Sequence, residues 1–186
     1  MKQKLFLAAS LLLMMNVWAQ QKSKVKFQCI DNAGVLKGAS DASYQVQTIN
    51  GILYKTIFIG VGAGIEDYYK KTIPVFLNLR KSFGSGKISP FIYADIGANY
   101  PWEKDNWEGD WWKKGEFSKG LYFDAGLGYS IKIFNWTSLL LSLGYSQKQL
   151  NEEKYLYPGI DILPYPEPDN YKYTLRRISL KIGFSF

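Results

Sequence analysis

The sequence predicts an all-β fold: a transmembrane up-and-down antiparallel β-barrel, most simply of eight strands. Three observations predict it. Apolar and polar residues alternate with a period of two along eight segments, which is the side-chain period of a strand. The links between segments are short and long in turn, as in a meander whose two ends face different surroundings. The closing segment, Tyr171 to Phe186, sets Ile178, Leu180, Ile182, Phe184 and Phe186 against Arg177, Ser179, Lys181, Gly183 and Ser185. An apolar face carried through to a terminal Phe has to be buried, and lipid can bury it.

Residues 1–19 read as a signal peptide. Lys2 and Lys4 form a basic start, Leu5 to Val17 an apolar core, and Val17-Trp18-Ala19 puts a small residue at the cut. The apolar run falls short of the roughly 20 residues that a spanning helix needs. Residues 20–186 then form one domain. Cys29, the single cysteine, has no internal disulfide partner and no lipidation context, and reads as a small apolar strand residue.

The first strand, near Lys24 to Leu36, opposes Val25, Phe27 and Cys29 to Lys24, Lys26 and Gln28. The second, near Ser40 to Asn50, has a weaker pattern. The third sets Ile57, Ile59, Val61, Ala63 and Ile65 against Thr56, Phe58, Gly60, Gly62 and Gly64. The fourth has Ile73, Val75, Leu77 and Leu79 against Thr72, Pro74, Phe76, Asn78 and Arg80, and Pro74 cannot donate to a ladder. The fifth opposes Ile88, Pro90, Ile92, Ala94, Ile96 and Ala98 to Ser89, Phe91, Tyr93, Asp95, Gly97 and Asn99. The sixth, from Leu121 to Ile133, alternates most regularly, with Asp124, Gly126, Gly128 and Lys132 on its polar side. The seventh has Leu139, Leu141, Leu143 and Tyr145 against Ser138, Ser142, Gly144 and Ser146, with Leu140 off pattern. The eighth is the closing strand.

Short links are expected near Gly51-Ile52, at Gly84-Ser85-Gly86 and at Asn135. The others are Glu66–Lys71, the long 101–119 and the longest, 151–170. Short turns on one side and long loops on the other are the asymmetry of outer-membrane barrels.

Aromatics at 17% and 17 glycines favour strands and tight turns. The mean hydropathy of −0.18 resembles that of a water-soluble protein, but alternation hides spanning strands from such averages. The formal charge is +7, or +5 without Lys2 and Lys4. Export makes nucleic acid an unsuitable partner and anionic lipid headgroups a matching one.

Alternation alone leaves the sense open, because a soluble exported lipocalin-like binding barrel has the same period with apolar residues inside. Two features favour the membrane sense. The polar face is rich in Gly and Ser, which suit a narrow lumen better than a water-washed surface. Aromatics also gather at strand ends: Tyr100, Trp102 and Tyr122 towards the long loops, Phe83, Phe134, Trp136 and Phe186 towards the short turns. Paired girdles are what headgroup interfaces select.

Val46-Gln47-Thr48-Ile49-Asn50-Gly51, Gly60-Val61-Gly62-Ala63-Gly64, Pro90 through Gly97 and the closing run from Ile178 to Phe186 carry a family resemblance. The chain resembles the small eight-stranded outer-membrane barrels of the OmpA/OmpX-like group, in particular the compact Bacteroides-type barrels. The resemblance implies the outer membrane of a Gram-negative-type bacterium, with lipid and lipopolysaccharide as surroundings. It also makes Ile178, Leu180, Ile182, Phe184 and Phe186 an assembly signal for the outer-membrane insertion machinery. It implies no particular activity.

The chain has no histidine, which removes the usual Ser–His and Asp–His pairs. Neither a metal-ligand spacing nor a nucleotide fingerprint occurs, so no enzyme activity and no cofactor are expected. Two readings of function stay open: a structural or surface-binding barrel with a side-chain-filled lumen, or a narrow, porin-like conduit for small solutes. The candidate lumen network is Arg80, Asp95, Asp124, Lys132, Arg177 and Lys181. Counting from the short turns puts Asp95, Asp124 and Arg177 near mid-height, with Arg80, Lys132 and Lys181 lower. Trp107, Trp111 and Trp112, set among charges in loop 101–119, are candidates for contact with an unknown surface ligand.

Overall fold

The computed structural model describes residues 25–39, 41–84, 86–103, 105–107, 113–156 and 169–186; the expected signal peptide lies outside them. The strands are β1 (Val25–Lys37), β2 (Ala42–Tyr54), β3 (Ile57–Tyr68), β4 (Lys70–Ser82), β5 (Ile88–Pro101), β6 (Asp105–Trp107), β7 (Lys113–Ser118), β8 (Gly120–Lys132), β9 (Ser138–Leu156) and β10 (Asp169–Ser185). β1 to β5 and β8 to β10 pair antiparallel in sequence order, and β10 closes the ring by pairing with both β9 and β1.

Following the register once around, from Phe27 through Ile52, Ile59, Leu79, Ala94, Ala125, Tyr145 and Ile178, returns to β1 at Lys37, ten residues beyond the start. With eight strands this stagger fixes a tilt of about 40° and a backbone radius of about 8 Å. A 13-residue strand such as β1 then rises roughly 30 Å, enough for the roughly 25 Å apolar band of a membrane barrel.

The sense of the barrel is apolar out and polar in. Ile59, Val61, Leu77, Leu79, Ile96, Leu127, Leu143, Ile178, Leu180 and Ile182 are all half or more exposed, while Gln45, Gln47, Asn78, Asp95, Asp124, Arg177 and Lys181 are buried inside. So wide an apolar belt far exceeds the few hundred Å² that a soluble monomer exposes. The lipocalin-like alternative requires the reverse orientation and does not hold. The belt has one polar interruption midway along β1 and β2, where Asp31, Thr48 and Asn50 face outward.

Several local expectations are corrected. The first short turn is not at Gly51-Ile52, because β2 continues to Tyr54 and the chain turns at Lys55, whose φ of 57° lies in the left-handed region. Gly51 sits inside the strand opposite Gly60. Glu66–Lys71 is not a loop: β3 and β4 meet across Tyr69 alone, at φ 65°. Pro74 faces the lumen, and the β3–β4 ladder lapses between Ala63–Val75 and Glu66–Thr72, as a missing N–H donor requires. Leu140 is inward and buried in the lumen cluster, so its break in the apolar outer face is only apparent. Tyr122 belongs to no girdle: its ring is fully buried inside. The exposed girdles comprise Tyr44, Tyr69, Tyr100, Trp102 and Tyr171 towards the long loops, and Phe27, Tyr54, Phe83, Phe134, Trp136 and Phe186 towards the short turns.

Candidate functional site

The lumen is filled by two charged layers with aromatic packing between and below them. The layer nearer the long loops centres on Glu66, which points inward from β3 two residues before the strand ends. Its Oε1 accepts hydrogen bonds from Arg177 Nη1 at 2.7 Å and lies 3.0 Å from Lys148 Nζ, and all three side chains are fully buried. Arg177 Nη2 donates to Ser146 Oγ at 2.8 Å, and Lys148 Nζ donates to Thr72 Oγ1 at 3.2 Å and to the Lys70 carbonyl at 3.0 Å. The Arg177 guanidinium also lies 5.4 Å from the centre of the Tyr68 ring. One carboxylate thus holds two cations, which are further satisfied by hydroxyl and carbonyl acceptors, as buried charge requires.

The second layer centres on Lys181. Asp95 and Asp124 stand directly opposite each other on β5 and β8, a placement in which like charges repel. Lys181 Nζ relieves it, 2.9 Å from Asp124 Oδ2 and 3.8 Å from Asp95 Oδ2. Tyr93 donates its hydroxyl to Asp124 Oδ1 at 2.8 Å, Ser179 reaches the same oxygen at 3.4 Å, and Asn78 Nδ2 donates to Asp95 Oδ1. Glycine makes this packing possible: a Cβ at Gly144 would collide with the Tyr93 hydroxyl, and one at Gly62 with the Phe76 ring. Phe76 and Tyr122 pack as a tilted pair with ring centres 5.3 Å apart, and Gln47 Nε2 donates to the Tyr122 hydroxyl at 2.8 Å.

Of the six expected network residues, the structure joins Asp95, Asp124 and Lys181. Arg177 is buried but pairs with Glu66, outside the Asp95–Asp124 layer. The expected grouping fails because a count along each strand ignores the stagger. Asp124, Ser146 and Arg177 share one ladder rung, and at about 40° tilt a rung climbs roughly 3 Å per strand. Arg80 is buried yet makes no ion pair among the described residues; its guanidinium lies 4.4 Å from the centre of the Phe91 ring. Lys132 is exposed at the short-turn rim and takes no place in either layer. Glu66 and Lys148 are the members the sequence reading missed. Their signal was parity: Gly60, Gly62, Gly64 and Glu66 share one face, as do Ser142, Gly144, Ser146 and Lys148.

Loop 101–119 contains a β-hairpin. β6 pairs with β7, and β7 pairs with β9 from Ser118–Asn151 to Lys113–Leu156. β9 and β10 stay paired out to Lys154–Asp169, so β6, β7, β9 and β10 form a sheet that continues beyond the barrel. β7 and β8 act as one strand broken by a bulge, since Ser118 meets Asn151 while Tyr122 meets Lys148. Asn151 Nδ2 donates to the Lys119 carbonyl at 3.1 Å, which satisfies the bulge. Phe117 is buried under Lys70, whose Nζ lies 5.0 Å from the ring centre. Tyr173 donates to Glu152 Oε2 at 2.8 Å. The Trp107 backbone lies on β6 opposite Lys114; Trp111 and Trp112 lie outside the described residues, as do 157–168 of loop 151–170.

The closing-strand residues Ile178, Leu180, Ile182, Phe184 and Phe186 all face outward. Phe186 exchanges backbone hydrogen bonds with Cys29 at 2.7 and 2.9 Å, at the short-turn end of the β1–β10 seam. Deleting Phe186 removes both bonds as well as the ring, whereas Phe186→Ser removes the ring alone. Both variants are expected to lower the yield of membrane-inserted barrel sharply, the deletion more. Heat-modifiable migration of cell-envelope fractions reads this, and wild-type yields from both would remove any assembly role for Phe186.

No protein-family model and no curated protein sequence matches the chain. Solved structures that share the fold include two small barrels. Neisserial surface protein A superposes with a TM-score of 0.59 at 13% identity, covering 88% of this chain and 96% of that one. The N-terminal β-barrel domain of Pseudomonas aeruginosa OprF gives 0.53 at 12% identity, covering 89% of this chain and 100% of the other. The chain therefore has the fold of the small outer-membrane β-barrels.

Proposed function

We propose that the chain is an outer-membrane barrel with a closed lumen, non-catalytic, whose working surface is the sheet carried beyond the membrane by β6, β7, β9 and β10. The observation that carries this reading is the filling of the lumen. Fully buried Glu66, Arg177 and Lys148 span one level, and Lys181 with two aspartates spans the next. Eight strands leave an interior that side chains can just fill, and here charged and aromatic groups occupy it. A rigid, packed barrel suits an anchor better than a solute pathway. The short turns then face the periplasm and the extended sheet faces outward, towards lipopolysaccharide and whatever the cell meets.

Within that reading Trp107, Trp111 and Trp112 are proposed as either an anchor in the headgroup layer or a binding platform. Replacing all three with Ala separates the two. An anchor predicts a barrel that loses its resistance to heated detergent. A platform predicts an intact barrel that no longer retains a component which the wild-type protein captures from native outer membrane. A barrel unchanged in both respects would overturn both roles. A form lacking the 101–119 hairpin, run beside the full chain, tests the wider claim: no hairpin-dependent capture would leave only the structural role.

A further inference from the structure

The short-turn mouth of the barrel holds a cavity of about 190 Å³, roughly the space of six water molecules. Its lining contains three cations, Arg80, Lys55 and Lys132, and no Asp or Glu. Five serines, Ser82, Ser89, Ser130, Ser138 and Ser185, add hydroxyls from five different strands, β4, β5, β8, β9 and β10. We propose that this mouth is an oxyanion site that takes a single phosphate group, with Arg80 as its anchor.

Arg80 carries the argument. It is only 7% exposed, yet its Nε is buried with no hydrogen-bond partner. The Phe91 ring covers its guanidinium face at 4.4 Å, leaving the donor edge for a ligand. Asp95, the nearest electrostatic counterpart, sits in the layer above, is held by Asn78 and Lys181, and forms no ion pair with Arg80. Phe186 is not among the residues that line the cavity, and its backbone oxygen accepts the Cys29 N–H at 2.7 Å. A buried guanidinium N–H without an acceptor is costly, and a cup of donors without carboxylates is made for an anion. Phosphate fits better than a carboxylate because a guanidinium fork and hydroxyls on several sides can engage a tetrahedral set of oxygens together. The volume admits one phosphate with a few waters.

Free inorganic phosphate and the phosphomonoester end of a larger envelope molecule share this chemistry. The experiment uses the full mature chain refolded in a detergent without phosphate, titrated separately with inorganic phosphate and with glycerol 3-phosphate. Heat of binding and the ¹⁵N–¹H resonance of Arg80 Nε are the readouts. Saturable binding is expected, with movement of the Arg80 Nε signal. Stronger binding of the ester would indicate a pendant phosphate, and stronger binding of the inorganic ion a free one. Arg80→Gln should weaken binding at least about tenfold, and Lys132→Gln, at the exposed rim, about two- to threefold. Arg80→Lys keeps the charge but not the fork and should fall between them. No heat and no Nε shift with either compound at up to about 10 mM, roughly the weak end of useful affinity, would overturn the proposal. So would equal binding by Arg80→Gln or, if that variant does not fold, by Lys132→Gln with an unmoved Arg80 signal in the wild type.

Discussion

Glu66→Ala is expected to destabilise the barrel by about 3–5 kcal/mol, the range for breaking a buried ion pair by removing one partner. The Glu66 side chain is fully buried and is the shared counter-charge of Arg177 and Lys148. Its loss leaves two cations facing each other in the lumen with only neutral acceptors, Ser146, Thr72 and the Lys70 carbonyl. At the usual urea dependence of about 1–3 kcal/mol per molar, the unfolding midpoint of the micelle-bound protein should fall by about 1 M or more. Glu66→Gln keeps the volume but not the charge and should lose nearly as much. Adding Lys148→Met to Glu66→Ala removes one surplus cation, so the double variant should be more stable than the sum of the singles predicts. Strict additivity would mean that Glu66 and Lys148 do not couple, and an unchanged midpoint for Glu66→Ala would mean that this layer contributes nothing to stability.

Asp124→Ala is expected to cost a few kcal/mol, somewhat less than Glu66→Ala. It removes the nearer counter-charge of Lys181, at 2.9 Å, and the acceptor of the Tyr93 hydroxyl. Asp95 remains within 3.8 Å of Lys181, so one anion is left to share the cation. Asp95→Ala should cost less again, because Lys181 keeps Asp124 and the repulsion between two directly opposed carboxylates disappears. The order Asp124 before Asp95 therefore tests the geometry of the layer as well as its existence. If both variants keep the wild-type midpoint in urea, there is no polar plug and the conduit reading regains ground.

Fold and face were legible in the sequence because both depend on parity alone. Ile178 to Phe186 and Ile59 to Ile65 alternate without a fault, and a period of two needs no knowledge of partners. Boundaries were less legible. Gly51 resembles a turn residue, but it is a strand position where backbone approaches backbone: a Cβ there would strike the carbonyl of Ile59. Glu66 and Lys71 resemble loop residues because they are charged, yet Glu66 is inward and Lys71 outward on strands joined by Tyr69 alone. The pairing of Arg177 with Glu66 could not be read at all, since it depends on the ten-residue stagger that only the closed register supplies. Lys132 shows the opposite limit: its parity is right for the lumen, but its place at the end of β8 leaves it in solvent. The hairpin of β6 and β7 lay hidden in a stretch whose Trp and charged residues follow no period.

The claim on which the account rests is that side chains close the lumen. Single-channel recording of the refolded, full mature protein in planar lipid bilayers measures this directly, at high salt and moderate voltage. A barrel plugged by Glu66, Arg177 and Lys148 in one layer and by Lys181, Asp95 and Asp124 in the next should give no discrete current steps. Reproducible steps of uniform size from the wild-type protein would contradict the account and make the chain a conduit.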